Sequence, residues 1–406
     1  MRFIADLHLH SRHSRATSKE MTPEGLWRWA QLKGLAVLGT GDFTHPGWLK
    51  ELKDKLEPSG NGLFKLKSRH QAAGVPRSCQ GEVSFMLQAE ISSIYTKGHR
   101  VRKVHSVLLA PGFEEAEEIN RRLSLVGNLA SDGRPILGLD AKDLLETVLD
   151  VSPAAALIPA HAWTPHFSVF GAASGFDSLR ECFEELTPHV FAIETGLSSD
   201  PPMNRRLSAL DDIALISNSD AHSPRKLGRE ANVFDGEASY DGIMGSLRTR
   251  RGFLGTIEFF PQEGKYHYDG HRQCRVCLRP EETIKHGGLC PVCGRPLTVG
   301  VLHRVQELAD RKTPKHEEYA SIVPLQEMIA GVLGRGVDTL AVQRKYFALL
   351  EALGSELAIL MEVPLEDISR AGGEDLGGAV ARMRSGDIHI SPGFDGEYGK
   401  ISMGSQ

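Results

Sequence analysis

The sequence predicts an α/β fold in three parts: a barrel built from seven or eight βα units, a small four-cysteine module and a C-terminal helical domain. Three observations predict it. Short apolar runs alternate with helical patterns over residues 1–260. Four cysteines then fall in two close pairs within residues 264–300, and long helical patterns dominate residues 301–406. The chain has 406 residues, 41% hydrophobic and 24% charged, which is ordinary globular usage and excludes disorder, collagen-like repeats and a coiled coil. A formal charge of -5 argues against a uniformly basic nucleic-acid binder while leaving room for local basic patches. No apolar stretch approaches the roughly 18 residues of a membrane span. Met1-Arg2-Phe3-Ile4-Ala5-Asp6 does not read as a signal peptide, so a cytoplasmic location without a membrane partner is expected.

The elements follow in order. Strands are expected at Phe3–Leu9, Leu35–Gly39, Val83–Ala89, Val104–Ala110, Ala154–Ala160, Phe191–Glu194 and Ile213–Asn218, each an apolar run bounded by Gly, Pro, Ser or Asp. Between the first two lies a helix with Thr22 as N-cap, Pro23 in the first turn, Leu26, Trp27 and Ala30 as its apolar stripe, and Gly34 at its end. No glycine-rich phosphate turn follows the first strand, which disfavours a doubly wound sheet. Glu82–Tyr95 and Arg100–Pro111 read as a hairpin. A two-residue turn at Lys97-Gly98 would set Glu90 directly opposite His105. Beyond residue 301 the clearest helix is Asp338–Glu351, with Leu340, Phe347 and Leu350 apolar, and the tail from Gly386 is rich in Gly and Ser.

The chemistry concentrates at strand ends. Asp6-Leu7-His8-Leu9-His10-Ser11 carries two histidines two residues apart, which point to one face of a strand and can reach one metal. The same device recurs at Asp220-Ala221-His222. Asp42, Glu90 and His161 each follow another strand, and His105 joins them through the hairpin. A barrel gathers such positions on its C-terminal face. The set His8, His10, Asp42, Glu90, His105, His161, Asp220 and His222 exceeds what one zinc ion uses, so two or three divalent ions (zinc, manganese, iron or magnesium) are expected. Such a site suits phosphoester hydrolysis, with one ion activating water and another holding the phosphoryl oxygens.

These motifs, with Gly39-Thr40-Gly41-Asp42 and Ser219-Asp220-Ala221-His222, resemble those of the polymerase-and-histidinol-phosphatase (PHP) superfamily over residues 1–260. The resemblance implies a distorted (βα)7 barrel with a trinuclear metal site, and implies that the eight residues are its ligands. Where many members have His after the second-motif Asp, this chain has Phe43. His45 is a candidate to compensate, and His166 a candidate to contact substrate or assist the leaving oxygen as an acid; a packing role is open for both.

Cys274-x2-Cys277 and Cys290-x2-Cys293 have the spacing of one closed structural zinc site. From Lys265 to Arg304 seven cations, Arg272 and Arg275 among them, face three acids. Lys97, Arg100, Arg102 and Lys103 make a second basic stretch at the hairpin tip, and Lys65, Lys67, Arg69 and Arg77 a third. Basic stretches around a phosphoesterase mouth point to a polyanion, since cations displace the counterions condensed on nucleic acid. The order barrel, cysteine module, helical domain resembles the endonuclease Q branch of the superfamily over nearly the whole chain, as do Ile158-Pro159-Ala160-His161-Ala162-Trp163-Thr164-Pro165 and Glu194-Thr195-Gly196-Leu197-Ser198-Ser199-Asp200-Pro201. That resemblance implies DNA cleavage on the 5′ side of deaminated bases (uracil, hypoxanthine, xanthine) and abasic sites. DNA carrying these lesions is the expected partner, and a replication or repair protein a further one. The competing readings are a small-molecule phosphatase, which leaves the cysteine module unexplained, and a non-catalytic DNA-binding scaffold.

Overall fold

Side-chain alternation sets the inner face of a large mixed sheet. In the strand Arg2–Asp6, Phe3 and Ala5 face an inner cluster with Val37, Met86, Val107 and Ile158, while Ile4 packs against the outer layer. The computed structural model describes residues 1–71 and 73–402. All seven expected strands are present, several of them shorter than the apolar run that announced them.

The strand pairing departs from a regular βα alternation. Arg2–Asp6 pairs parallel with Val37–Gly39, which pairs parallel with Ser84–Lys97, and Ala192–Glu194 pairs parallel with Ala214–Ile216. Antiparallel pairings interrupt this pattern. Ala231–Asp235 returns beside the first strand and is followed by Phe253–Glu258, and Arg100–Ala110 lies between Ser84–Lys97 and Ala156–Pro159. A two-residue link between Ser84–Lys97 and Arg100–Ala110 is too short for a crossover and forces the antiparallel sense. The turn itself is Gly98-His99, both at φ +59, rather than Lys97-Gly98. Positive φ at both central residues matches the right-handed strand twist. The register therefore shifts from the expected one: His105 faces Ser92, and Glu90 faces Val107.

The helix Pro23–Lys33 forms as its sequence signals require. Thr22 accepts a hydrogen bond from the Gly25 N–H, and Gly34 closes the helix at φ +89. Its buried stripe is Leu26, Trp29 and Ala30, with Trp27 only half-buried. Helices Leu325–Leu333, Leu340–Leu353, Leu365–Gly372 and Glu374–Ser385 form the C-terminal bundle. In Leu340–Leu353 the buried stripe is Val342, Tyr346, Leu349 and Leu350, whereas the expected Leu340 is 68% exposed. Among its described residues the tail is not helical. His389–Ser391 pairs antiparallel with Lys400–Ser402, and the intervening loop folds back on the cysteine module, where the Tyr268 N–H donates to the Gly393 carbonyl. Residues 403–406 of the expected C-terminal domain lie outside the described residues.

A buried ion pair fastens the bundle to the barrel. Lys33 Nζ lies 2.7 Å from Glu356 Oε2, and both side chains are almost wholly buried. Glu356 also accepts from the Tyr346 hydroxyl at 2.7 Å and the Leu325 N–H at 3.1 Å. Removing the cation would strand a charge in a dry interface. Lys33→Met is expected to destabilise the protein by about 3 kcal/mol. The double variant Lys33→Met/Glu356→Leu is expected to recover much of that loss, as measured by urea unfolding.

Candidate metal centre

Three strand ends turn through backbone that non-glycine residues rarely adopt. Asp42, His161 and Asp220 sit at φ +45, +29 and +46, just beyond Val37–Gly39, Ala156–Pro159 and Ala214–Ile216. Strain of this kind persists where surrounding contacts over-determine it. Here it turns these side chains toward a shared space. Gly196 makes room beside His161, since a Cβ there would lie 2.5 Å from the His161 Cβ.

Glu90 is wholly buried at the centre of that space, and its two oxygens face different partners. Oε1 lies 2.8 Å from His105 Nδ1 and 3.2 Å from His161 Nε2. Oε2 lies 3.1 Å from His10 Nε2, 3.5 Å from His8 Nε2 and 3.0 Å from Arg134 Nη1. Asp220 Oδ1 adds a second carboxylate 3.1 Å from His10 Nε2. Two clusters of ligand atoms, each within 4.8 Å, result: His8, His10, Glu90 and Asp220, and Glu90, His105 and His161. Glu90 belongs to both.

The orientation of each imidazole is set from behind. His8 Nδ1 donates to both Glu194 oxygens at 3.0 Å, and Glu194 also accepts from the His161 N–H at 2.8 Å and Asn218 Nδ2 at 2.9 Å. His10 Nδ1 donates to Asp42 Oδ1 at 3.0 Å. With Nδ1 protonated, each Nε2 is left as a lone pair directed into the centre. His8 Nε2, His10 Nε2 and Asp220 Oδ1 are buried without a hydrogen-bonding partner. Orphaned buried acceptors are costly, and three facing one another are the donor set of a divalent cation. The surrounding carboxylates favour a proton on each of the His8 and His10 rings, which a bound cation would displace. Against the lowering effect of burial, Glu194 and Glu90 hold His8 well above the usual imidazole range, and Asp42 and Asp220 do the same for His10. Burial would raise Glu90, yet His105, Arg134 and His8 hold it well below the usual carboxylate range. His105, dominated by burial, falls to about 4 and is a neutral donor.

Six of the eight expected ligands meet in these clusters, and two do not. Asp42 Oδ2 accepts from the Ser11 N–H, the Ser11 hydroxyl and the Ser14 hydroxyl at 2.6–2.9 Å, so its carboxylate is spent orienting His10. The His222 ring lies 4.5 Å from that of His10, and its Nδ1 donates to the Asp220 carbonyl. Among the described residues no third cluster forms around Asp42 and His222. His45 caps the helix Pro46–Lys55, its Nδ1 accepting from the Trp48 N–H, and stacks on His13 at 4.2 Å. His166 is exposed, and its neighbour Phe167 packs 4.8 Å from the His105 ring.

Of the residues expected on nucleic acid, Arg100, Arg272 and Arg275 are exposed. Arg102 is corrected. Its guanidinium lies 4.1 Å over the Phe176 ring and donates to the Gly175 carbonyl, which removes it from the surface. In the cysteine module Cys274, Cys290 and Cys293 gather as expected, but the fourth member of the group is His271, whose Nδ1 lies 3.5 Å from Cys293 Sγ. Cys277 lies instead in the strand Val276–Leu278 opposite Gly270, and burial pushes its thiol up to about 11. Although burial opposes it, N–H groups of Cys293 and Val292 directed at the sulfur bring Cys290 down to about 7. His271-x2-Cys274 repeats the spacing of the cysteine pairs, a signal the cysteine pattern alone passes over. Arg134 was also missed; its signal was a cation set between Gly133 and Pro135 in a turn.

Comparison with known proteins places this geometry. The crystal structure of the lesion-specific endonuclease PfuEndoQ from Pyrococcus furiosus superposes with a TM-score of 0.86 at 32% identity, covering 99% of this chain and 95% of that one. The chain belongs to the endonuclease Q family. A second endonuclease Q structure, in complex with a 27-mer duplex substrate bearing an abasic lesion at the active site, gives 0.84 at 32% identity over 99% and 96% of the two chains. A family model described as the MJ0043 C-terminal domain matches residues 324–387, most of the helical bundle. The MJ0043 protein of Methanocaldococcus jannaschii is itself 33% identical over 257 residues. This match takes in 61% of the chain but only about a third (32%) of that relative's length.

Two predictions follow from the site's surroundings. Replacing Glu194 by Gln weakens the orientation of His8 and of the His161 backbone together. It is expected to lower divalent-metal affinity roughly 10–100-fold, measured by competition with a chromogenic chelator. Beyond Glu194 lies Glu230, pushed well above the usual carboxylate range by burial and by Glu258, with Oε2 unpartnered. An acid raised on folding takes up a proton, so its stabilising effect is lost as pH rises from about 4.5 through its folded value. Glu230→Gln is therefore expected to raise the thermal midpoint at pH 8, with the gain shrinking toward pH 4.5.

Proposed function

We propose that the protein is a metal-dependent endonuclease of DNA repair that hydrolyses the phosphodiester on the 5′ side of deaminated bases and abasic sites. The observation that carries this reading is the pair of ligand clusters sharing Glu90, with the Nε2 atoms of His8 and His10 left as unpaired donors toward it. The near full-length match to a lesion-specific endonuclease supports it. His8, His10, Glu90 and Asp220 would hold one cation, and Glu90, His105 and His161 a second, with zinc, manganese or iron(II) suited to the imidazole-carboxylate set. Cations held there would supply an activated water and charge stabilisation of the phosphoryl oxygens.

The chain's own residues do the rest. Glu194 and Asp42 fix the tautomers and directions of His8 and His10, and burial of His8, His10 and Glu90 excludes bulk water from the centre. Strand ends carrying His8, His10, His161 and Asp220 and the hairpin carrying Glu90 and His105 would present these groups within a distorted PHP-type (βα)7 barrel, and exposed Arg100, Arg272 and Arg275 would track phosphates without reading sequence. A damaged base would be read after leaving the stack, and a lesion that pairs poorly costs less to extrude. Cys274, Cys290 and Cys293, with Cys277 or His271, would hold a structural zinc that supports a module with little core. No helix among the described residues is long and apolar enough to cross a membrane.

End-labelled duplexes with and without a single uracil, hypoxanthine or abasic site test the reading. Strand scission is expected only on the lesion strand, on its 5′ side, and only with divalent metal. Excess chelator, His8→Ala or Asp220→Ala should abolish it, while Cys274→Ser should chiefly weaken DNA binding in a gel-shift assay. Equal cleavage of undamaged duplex, or cleavage indifferent to chelator, would overturn the proposal.

A further inference from the structure

We propose that Arg134 is a catalytic residue whose guanidinium grips a non-bridging oxygen of the phosphodiester under attack. The proposal rests on the nuclease reading and adds a residue to it. Arg134 lies in none of the metal motifs. It is carried by the turn Ser131-Asp132-Gly133-Arg134-Pro135, which is pinned against the centre at several points. The Gly133 N–H donates to the His13 carbonyl, its carbonyl accepts from the Thr44 hydroxyl, and the Arg134 N–H donates to Asp132 Oδ1 at 3.0 Å. Gly133 passes so close that a Cβ would lie 2.2 Å from Asp42 Oδ2 and 2.3 Å from Ser14 Oγ. Only glycine allows the backbone to bring its neighbour this near.

The guanidinium reaches the bridging carboxylate, with Nη1 3.0 Å from Glu90 Oε2. Among the described residues this is its one hydrogen-bond acceptor, yet arginine has five N–H donors in a planar fork. Four donors are left, and 30% of the side chain is exposed. The open side faces a cavity of about 260 Å³ that Arg134 lines together with Arg15, Ser92, Asp132, His105 and Phe167, the Asp132 carboxylate being paired with Arg15 at 3.3 Å. This one opening therefore touches the arginine on Glu90 Oε2 and the imidazole on Glu90 Oε1.

A half-buried arginine beside a carboxylate that also faces four imidazoles is redundant as a counter-charge once that carboxylate serves cations. Its spare donors then suit an anion in the cavity. A phosphodiester gathers negative charge on its non-bridging oxygens as the nucleophile adds, and a preplaced guanidinium fork strengthens in proportion. Arg134 forms no covalent bond and gives up no proton in this role. Arginine serves better than lysine because its planar fork keeps donors for the phosphate while Nη1 stays on Glu90.

The competing role is structural: Arg134 would only neutralise Glu90. Arg134→Ala and Arg134→Lys, loaded with divalent metal beside wild type, separate the two. For Arg134→Ala, metal content per chain and thermal midpoint should match wild type. Its kcat on an abasic duplex should fall about 10²–10³-fold with KM little changed. Inorganic phosphate should bind about tenfold more weakly. Free guanidinium ion should restore part of the Arg134→Ala rate and leave wild type unmoved, and Arg134→Lys should fall between the two. A variant that loses metal in step with its rate, or that keeps kcat and phosphate affinity within about threefold of wild type, overturns the proposal. If wild type nicks no lesion duplex but phosphate affinity still drops in Arg134→Ala, the nuclease reading fails while the anion site stands.

Discussion

A single buried carboxylate constrains the whole molecule. Glu90 has no access to solvent and is ringed by His8, His10, His105, His161 and Arg134. An isolated carboxylate in that position would simply take up a proton, because burial penalises its charge. It stays ionised because cationic and dipolar partners are delivered to both oxygens from four separate segments. None of those segments can move independently without exposing an unpaired charge. The left-handed backbone at Asp42, His161 and Asp220 is the local strain that this convergence imposes.

The irregular sheet serves the same convergence. Were every strand parallel, Glu90 and His105 would come from consecutive βα units and sit side by side at one level. The antiparallel hairpin instead lets both rise from one ribbon, with His105 two residues along the ladder from Val107, the partner of Glu90. The diagonal neighbour distance in a sheet lies within reach of long side chains, which is how Glu90 Oε1 meets His105 Nδ1. Outside the barrel, polar groups are equally committed: Arg205 and Arg250 share Glu317, and Lys33 shares Glu356 with Tyr346.

Much of this is legible in the sequence, and the illegible parts have physical causes. Strand positions and the first helix could be read because apolar periodicity and end signals agree there, as at Thr22, Pro23 and Gly34. The histidine pairs are readable because residues two apart on a strand must share a face. The register of the hairpin was missed by one residue in each strand, since His99 adopts positive φ without announcing it as a second glycine would. Asp42 was read as a ligand because sequence shows its proximity but not the three donors from Ser11 and Ser14 that saturate it. Arg102 looks like a surface cation among cations, and only the fold brings Phe176 over it. Arg134 depends on a tertiary approach of Gly133 to Asp42, from residues 91 positions apart in the chain.

The cysteine module is held from afar. Asp395 accepts from the Arg272 N–H and the Thr298 hydroxyl, and a Cβ on Gly270 would collide with the Phe394 ring. Arg272 and Asp395 are 123 residues apart. A chain synthesised from its N-terminus can therefore complete the barrel while the module still lacks its clasp. Closing a loop of this length is slow compared with local helix formation. The metal-ligand residues can therefore assemble before the module is clasped, so newly made chains would mature in two steps rather than one.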